Sequence, residues 1–385
     1  MSTTFDPRSS SHSIPRGNHP GRTAADAARA WREHLPKALR QRIVSRGLIA
    51  FGIYFTLFHA CFVGSFLPPT ASWRFLCIVL QPLLIGGLFV VGHDAAHHSL
   101  VPQGWLNGLL GRLALLPAWH PYTSWCYSHN TLHHGGTNLR GRHPDFVPLT
   151  KAEYDALPLW RRAVERVYRS WWGVASSYVF DFFLGYLIFP RGKRSPPDRV
   201  AFRLDRMLVL AYLAMQALGG MWLSQFTPNP MMNPGLHVFT VVMIPWASWI
   251  WFMGVMSFIQ HTHPTMAWYD NRQEWSYYHV QLKSTTHVVL PWPIESLLNN
   301  ITDHAAHHLD PTIPLYHLPE SQRLLEEDCP EHAVVVHWTP AQYLETCRIC
   351  KLYDFERHCW TDFAGRPTSE MGLPDRCVDA AKGSR

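Results

Sequence analysis

Three short segments of the chain are rich in histidine: HDAAHH at 93–98, HNTLHH at 129–134 and HAAHH at 304–308. These histidine boxes hold nine of the 24 histidines in 17 of the 385 residues, a density that scatter does not produce. Neutral imidazole is a ligand for iron, copper, zinc and nickel. About eight such ligands exceed what one six-coordinate ion can use. The boxes contain no cysteine, which a closed structural zinc site usually includes, so they predict a site for two metal ions.

The spacing within each box suits a helix, because residues three or four positions apart lie on one face. The predicted shared faces are His93 with His97, His129 with His133, and His304 with His307 and His308. His98 and His134 fall outside the faces of their own boxes. One such pattern alone is more often incidental than metal-binding, but three together favour metal ligation.

Long apolar segments adjoin the boxes. Hydrophobic residues make up 47% of the chain and charged residues 16%, as is typical of membrane proteins. No Asp, Glu, Lys or Arg occurs between Gly47 and Trp73, or from Met207 to Gln260. About 20 helical residues cross the roughly 30 Å hydrocarbon layer. The predicted fold is an all-α integral membrane protein: two transmembrane hairpins, with four spans at about 47–67, 74–92, 207–226 and 236–259, and a cytoplasmic histidine-rich cap.

The distribution of basic residues predicts the orientation. The hairpin loops PPTAS and TPNPMMNPG lack Lys and Arg, whereas basic residues precede the first span: Arg29, Arg32, Lys37, Arg40, Arg42 and Arg46. Positive charge marks the cytoplasmic side, so the arm, the middle and the tail are predicted there. The net charge of +6 suits anionic headgroups, and no interleaving of aromatic and basic residues indicates nucleic acid.

Two further apolar segments affect the count of spans. Residues 106–119 are short and contain Arg112, which indicates a re-entrant or interfacial piece. Residues 170–189 are long enough to cross, but Asp181 at their centre would be costly in lipid. The three boxes share one face of the membrane only if an even number of crossings separates them. We therefore predict that residues 170–189 lie in the interface.

The remaining divisions follow from composition. Residues 1–46 are predicted to form a basic cytoplasmic arm, disordered over its Ser-, Pro- and Gly-rich start (2–24) and ending in an interfacial helix. No segment before Gly47 reads as a signal peptide. Residues 47–365 form the membrane domain and 366–385 a cytoplasmic tail. Cys347 and Cys350 make a lone CxxC, for which reduced thiols are favoured over a zinc knuckle.

The boxes and their flanking sequences resemble the integral-membrane fatty acid desaturases. The order of HDAAHH, HNTLHH and HAAHH on two hairpins is shared with that family, and the flanking stretches look most like its acyl-lipid delta-12 and omega-3 group: PYTSWCYSHNTLHH, QHTHP and HHLDPTIPLYHL. The resemblance covers roughly Gly47 to Gly365. It implies a centre of two non-haem iron ions that uses O2 and two electrons to place a cis double bond in a lipid acyl chain.

The resemblance also implies the site residues. The implied iron ligands are His93, His97, His98, His129, His133, His134, His261, His263, His304, His307 and His308. His261 and His263 lie in FIQHTHP, where Pro264 limits how far the fourth span continues. Carboxylates that could accept the other ring N–H of a ligating histidine are Asp94, Asp145 and Asp303. Trp125 and Tyr122, before the second box, are expected to line a tunnel for the acyl chain.

The chain contains no recognisable flavin, nicotinamide or haem domain, so an external donor such as a ferredoxin or a b-type cytochrome is expected to supply the electrons. The expected location is a bacterial inner membrane, with the active site on its cytoplasmic face. A hydroxylase, acetylenase or carotenoid-modifying oxygenase on the same iron centre is the alternative. A non-catalytic metal-handling membrane protein is more remote, because ionisable groups are nearly absent from the spans.

Overall fold

A computed structural model describes residues 23–228 and 230–372. Its α-helices are α1 Ala24–His34, α2 Val44–Gly64, α3 Ala71–Ala96, α4 Gly104–Leu115, α5 Tyr122–Cys126, α6 Lys151–Ala156, α7 Leu159–Tyr168, α8 Val174–Ser177, α9 Arg199–Ser224, α10 Pro234–His261, α11 Tyr277–Lys283, α12 Ile294–Leu297, α13 His304–Leu309, α14 Leu318–Asp328 and α15 Pro340–Ile349. The strands are β1 Thr286–Val289, β2 Val334–His337, β3 Leu352–Asp354 and β4 Cys359–Thr361. Two π-helices span Tyr127–His133 and Tyr178–Ile188.

Four of the described helices are long and apolar enough to cross a membrane: α2, α3, α9 and α10. They form two hairpins, as predicted. Helix α9 begins at Arg199, eight residues before the predicted span. The first two turns of this helix carry Arg203 and Arg206. Hydrophobicity marks the part of a helix that lies in hydrocarbon, and this helix continues beyond that part into polar sequence.

Helices α2 and α3 of the first hairpin pack closely, and helix α9 of the second hairpin is joined to α4 and α5 by the Asp205 carboxylate. A Cβ on Gly87 would lie 2.1 Å from a ring carbon of Tyr54, so a larger residue at this position of α3 would displace the Tyr54 ring of α2. At the end of α9 nearest the histidine boxes, the Arg112 guanidinium lies 2.7 Å from the Asp205 carboxylate. Asp205 also accepts a hydrogen bond from the Thr123 backbone N–H at 2.8 Å. These contacts fix α4 and α5, and with them the start of the second box.

The apolar segment between the hairpins is shorter than the four long helices. It is helical from Val174 to Ile188. The Asp181 side chain is 51% exposed and lies 4.0 Å from Arg161. Both features agree with a chain of four spans, and placement of this helix in the interface stays a prediction.

The third histidine box belongs to a compact cap of short helices. Ala24, Ala28 and Trp31 of α1 pack in one buried cluster with Ala305 of α13 and Leu325 of α14. The N-terminal arm is thus anchored to the cap from Thr23 onward, where Thr23 caps α1. The predicted disorder of residues 2–24 and part of the predicted tail lie largely outside the described residues.

Four short strands complete the cap. Strand β1 pairs with β2 in parallel, from Thr286 opposite Val334 to Val289 opposite His337. Strand β3 pairs with β4 in antiparallel register, with Leu352 opposite Thr361. Strand β1 precedes the third box in the chain and β2 follows it, so their pairing joins the segments on either side of that box.

Candidate metal centre

Nine buried or half-buried histidines form two groups. The first group is His93, His97, His129, His134 and His307, and the second is His133, His261, His304 and His308. Within each group, one nitrogen from every ring lies within 4.8 Å of the others. The groups adjoin, because the rings of His134 and His308 stack with centroids 4.2 Å apart. All three boxes and the end of α10 therefore meet at one place.

The division differs from the faces expected of regular helices. His129 and His133 were expected to act together, but they belong to different groups, and His129 is grouped with His134 instead. The physical reason is the π-helix at Tyr127–His133: the backbone N–H of His134 donates to the carbonyl of His129, a spacing of five rather than four residues. The third box is divided as well, since His307 faces the first group and His304 and His308 the second.

The distances between ring nitrogens fit metal ligation. Nε2 of His134 lies 3.1 Å from Nε2 of His129 and 3.1 Å from Nε2 of His307. Two nitrogens bound at about 2.1 Å to one ion with a right angle between them would be about 3 Å apart. Nε2 of His93 and Nε2 of His97 are buried and have no hydrogen-bond partner. Buried polar atoms normally have one, so these lone pairs suit a metal ion.

The electrostatics of the cluster favour the ligating form of histidine. Burial, and then the neighbouring imidazoles, hold the pKa of His133 and His307 well below the ordinary value. The same two causes, in the same order, lower the pKa of His129, His134 and His308. These rings are therefore neutral near pH 7, and a neutral ring offers the lone pair that a metal ion needs.

Neighbouring acceptors orient several of the rings. Nδ1 of His261 lies 3.1 Å from the carbonyl of Ser284, and Nδ1 of His93 lies 3.3 Å from the Asp94 carboxylate. The second Asp94 oxygen accepts from the backbone N–H of Leu315 at 2.6 Å. When Nδ1 donates to such an acceptor, Nε2 is left free to bind a metal. Asp94 thus lies beside a ring of the first box, and its role as an acceptor for a ligating ring stays a prediction.

Two predicted ligands are not brought to either group. Helix α3 ends at Ala96, and His98, at a positive φ of 56°, is exposed. Helix α10 ends at His261, and the extended backbone of Thr262 turns the chain away. His263 then contacts the Thr265 hydroxyl at 2.8 Å. We therefore leave His98 and His263 out of the proposed ligand set and keep His261.

Two predicted carboxylates have partners other than the grouped histidines. Asp303 lies 3.2 Å from His287, in a separate group with Glu295, and burial raises its pKa to about 7 against the opposing effect of His287. Asp145 accepts a hydrogen bond from Ser257. Cys347, Cys350 and Cys359 are free buried thiols, and none belongs to a metal-binding group in the described ranges.

A largely apolar cavity opens onto both histidine groups. Its walls come mainly from α3, α10 and the π-helix at Tyr178–Ile188, and they include His93, His129, His133, His261 and His304. Trp125 is 2% exposed and lines this cavity. Tyr122 is not among the lining residues; its hydroxyl donates to the carbonyl of Ala95 at 3.0 Å, so it supports α3 instead.

Sequence reasoning missed two buried residues of the site. Gln281 of α11 lies with its Oε1 2.7 Å from Nδ1 of His308, and its Nε2 donates to the carbonyl of His134 at 2.7 Å. His143 lies beside His133 and His261, with ring centroids 4.9 Å and 5.3 Å away. Neither residue belongs to a histidine-dense segment, so spacing gave no signal for either.

Comparison with known proteins gives the family. Residues 70–340 match the family model for fatty acid desaturases. The chain is 27% identical over 301 residues to a chloroplastic omega-6 fatty acid desaturase of Glycine max, covering 77% of this chain and 66% of that protein. It is 28% identical to an sn-1 oleoyl-lipid 12-desaturase of Picosynechococcus, covering 79% and 84%.

A third relative is an sn-1 acyl-lipid omega-3 desaturase (ferredoxin) of Nostoc, 28% identical over 64% of this chain and 66% of that protein. The family match includes all three histidine boxes and His261, the residues that form the two groups. The chain therefore belongs to the fatty acid desaturase family.

Proposed function

We propose that the protein is an acyl-lipid desaturase, which uses O2 and two electrons to place a cis double bond in an acyl chain of a membrane lipid. The observation that carries the proposal is the apolar cavity that ends at both histidine groups. An acyl chain needs a dry, narrow site, and oxidation of an unactivated methylene needs a metal centre at its wall. Family membership and the lipid desaturases among the relatives support the same activity.

The two histidine groups would hold two non-haem iron ions, which supply the power to oxidise a methylene with O2. The protein residues bind, orient and shield. Asp94, the carbonyl of Ser284 and Gln281 each contact Nδ1 of a grouped histidine. Each contact orients the ring so that its Nε2 is available for the metal. Phe89, Trp125 and Trp249 pack in the cavity wall, where they would position the chain and exclude water.

Electrons would come from a separate one-electron carrier, such as a ferredoxin or a b-type cytochrome. One relative carries ferredoxin in its name. We place the enzyme in a bacterial inner membrane with the metal centre at the cytoplasmic face. The basic residues before α2 support that orientation, and an acidic carrier would approach this side by electrostatic attraction.

The activity is tested by producing the protein with a ferredoxin and its reductase in a bacterial host that makes no polyunsaturated lipids. Mass spectrometry of the lipids should then detect new double bonds that depend on the protein. New hydroxyl groups would instead indicate a hydroxylase on the same centre. Unchanged lipids, despite purified protein with bound iron, would contradict both.

The metal content is tested on purified protein, which should bind about two irons per chain. His133→Ala and His307→Ala each remove a ligand from a different group, so each should lower iron to about one per chain and abolish product. The variants should still reach the membrane, because neither ring lies in a span. One zinc and no iron in the unaltered protein would refute the iron assignment.

A further inference from the structure

One carboxylate lines the cavity beside the histidine groups. Of the cavity-lining residues, Asp145 alone carries a carboxyl group, and it is 6% exposed. It accepts a hydrogen bond from Ser257 of α10. Ser257 precedes His261 by four residues, about one helical turn, and lines the cavity too. The carboxyl is thus held on the same wall as the second histidine group.

The surroundings of Asp145 raise the protonated share of its carboxyl above that of an ordinary aspartate. Burial raises the pKa of this carboxyl to about 6, although the hydrogen bond from Ser257 opposes the rise and the charge of Asp181 adds to it. The other hydroxyl among the cavity-lining residues belongs to Tyr178 and is engaged elsewhere, at 3.3 Å from Nε2 of His120. Nδ1 of His120 donates to the carbonyl of Ala118 at 2.7 Å, so Nε2 can accept from that hydroxyl.

The reaction itself requires protons in this cavity. Removing two hydrogens from –CH2–CH2– to leave –CH=CH– while reducing O2 to two waters consumes two electrons and two protons from outside the substrate. The electrons come from the external carrier, whereas the protons must reach a pocket with mainly apolar walls. The grouped histidines would be engaged with metal in the proposed centre, so they are poor proton donors.

We propose that Asp145 is a catalytic proton-transfer residue, whose carboxyl O–H, positioned by Ser257, donates the protons with which oxygen is reduced to water. This role rests on the proposed oxygen-dependent function. After each transfer the carboxylate takes a proton from solvent. General acid catalysis of this kind contributes on the order of 100-fold or more to a rate. The group also differs from an acceptor for a ligating ring, since it accepts its hydrogen bond from Ser257.

The test compares Asp145→Asn with Asp145→Glu. The amide keeps the size of the side chain and can accept from Ser257, but it cannot exchange a proton. In the iron-loaded enzyme we expect unchanged iron content and unchanged KM for lipid, a kcat lower by about 100-fold, and more electrons consumed per product because partly reduced oxygen escapes as hydrogen peroxide. Asp145→Glu should restore much of kcat, and Ser257→Ala, which keeps the acid, should lose less than Asp145→Asn.

A second measurement requires no turnover. Infrared spectra of the resting full-length protein in lipid nanodiscs should contain a protonated carboxyl band that shifts in D2O, titrates around pH 6 and is missing from Asp145→Asn. Normal kcat and coupling in Asp145→Asn, or absence of that band from the unaltered protein, would overturn the proposal. Loss of iron in Asp145→Asn without rescue by glutamate would assign Asp145 a structural role instead.

Failure of the desaturase assignment can be told apart from failure of this role. Hydroxylation by O2 consumes two electrons and two protons as well, so the ratio of electrons to product is informative for either product. A hydroxylated lipid would therefore contradict desaturation while the comparison of the Asp145 variants still decides the proton role. If the unaltered protein forms no product, absence of the infrared band would still overturn the proton role, and its presence would support the protonated carboxyl that this role requires.

Discussion

The His308 ring is oriented by a side chain that lies 27 positions earlier in the chain, Gln281. Because Gln281 contacts Nδ1 of His308, the Nε2 of this ring is free to face the second group. The Gln281 side chain also donates to the carbonyl of His134, which links the second group to the second box. Loss of such an orienting partner typically weakens metal binding by about 10- to 100-fold. Gln281→Ala should therefore lower iron affinity by that factor, measured by competition with a chelator.

A matched control for this variant lies on α9. Gln216 is also a buried glutamine, but it lies in α9, which contributes no residue to either histidine group, so Gln216→Ala should bind iron normally. Equal iron affinity in the two variants would show that Gln281 does not orient His308.

His261 and His263 provide a second comparison at the scale of single residues. Only His261 belongs to a histidine group, and its Nε2 lies 2.9 Å from Nε2 of His304. His261→Ala should reduce iron from about two to about one per chain and remove product, whereas His263→Ala should keep both. Elemental analysis and lipid profiles of the two variants decide the matter, and the opposite ranking would move the ligand role to His263.

The site was only partly predictable from these residues. Density of histidine identified eight of the nine grouped rings, because few other functions need so many imidazoles in so few positions. The ninth, His261, was predicted from the family resemblance of FIQHTHP and not from density. Their assignment to two groups was not predictable from helical spacing, since the second box is a π-helix. Gln281 and His143 gave no signal because each is brought to the site by tertiary folding.

Hydrophobicity predicted the four long helices well, because a span must be apolar over its whole width. It could not fix where each helix ends, since polar turns at the membrane surface remain helical, as at Arg199 in α9. It also could not separate a crossing helix from one that lies flat. For Val174–Ile188 the shorter length and the exposed Asp181 favour the flat arrangement.

The orientation of these helices is open to a direct test. Because both hairpin loops lack Lys and Arg, residues 68–72 and 227–235 should face outward. A reporter that is active only outside the cytoplasm should give a signal when fused in either loop and none when fused after Pro148. A strong outside signal after Pro148 would place an extra crossing between the first and second boxes and separate them.

Taken as a whole, the molecule places its cavity between the two hairpins, with α3 and α10 as common walls. Met253 on α10 lines the cavity eight residues before His261, about 12 Å along the helix axis. Met253→Trp should obstruct the acyl chain and lower the rate by about 5- to 150-fold, an estimate from the roughly 1–3 kcal/mol cost of overpacking. Iron content should stay normal, because no ligand changes.

The same substitution at a surface position serves as the control. Met215 on α9 is 55% exposed, so Met215→Trp should retain the activity of the unaltered protein. Equal rates in Met215→Trp and Met253→Trp, measured on the same lipid, would show that the acyl chain does not occupy this cavity.

The π-helix at Tyr127–His133 makes the number of residues in the second box as important as their identity. Thr131 is exposed and belongs to neither histidine group, so Thr131→Ser should bind two irons as the unaltered protein does. Deleting Thr131 removes no ligand, yet it shortens the distance from His129 to His134 by one position and restores the ordinary helical spacing. The rings would then point to the wrong partners, and iron binding should be lost. Thr131 would thus be indispensable because of the backbone position it occupies, although its side chain has no chemical role.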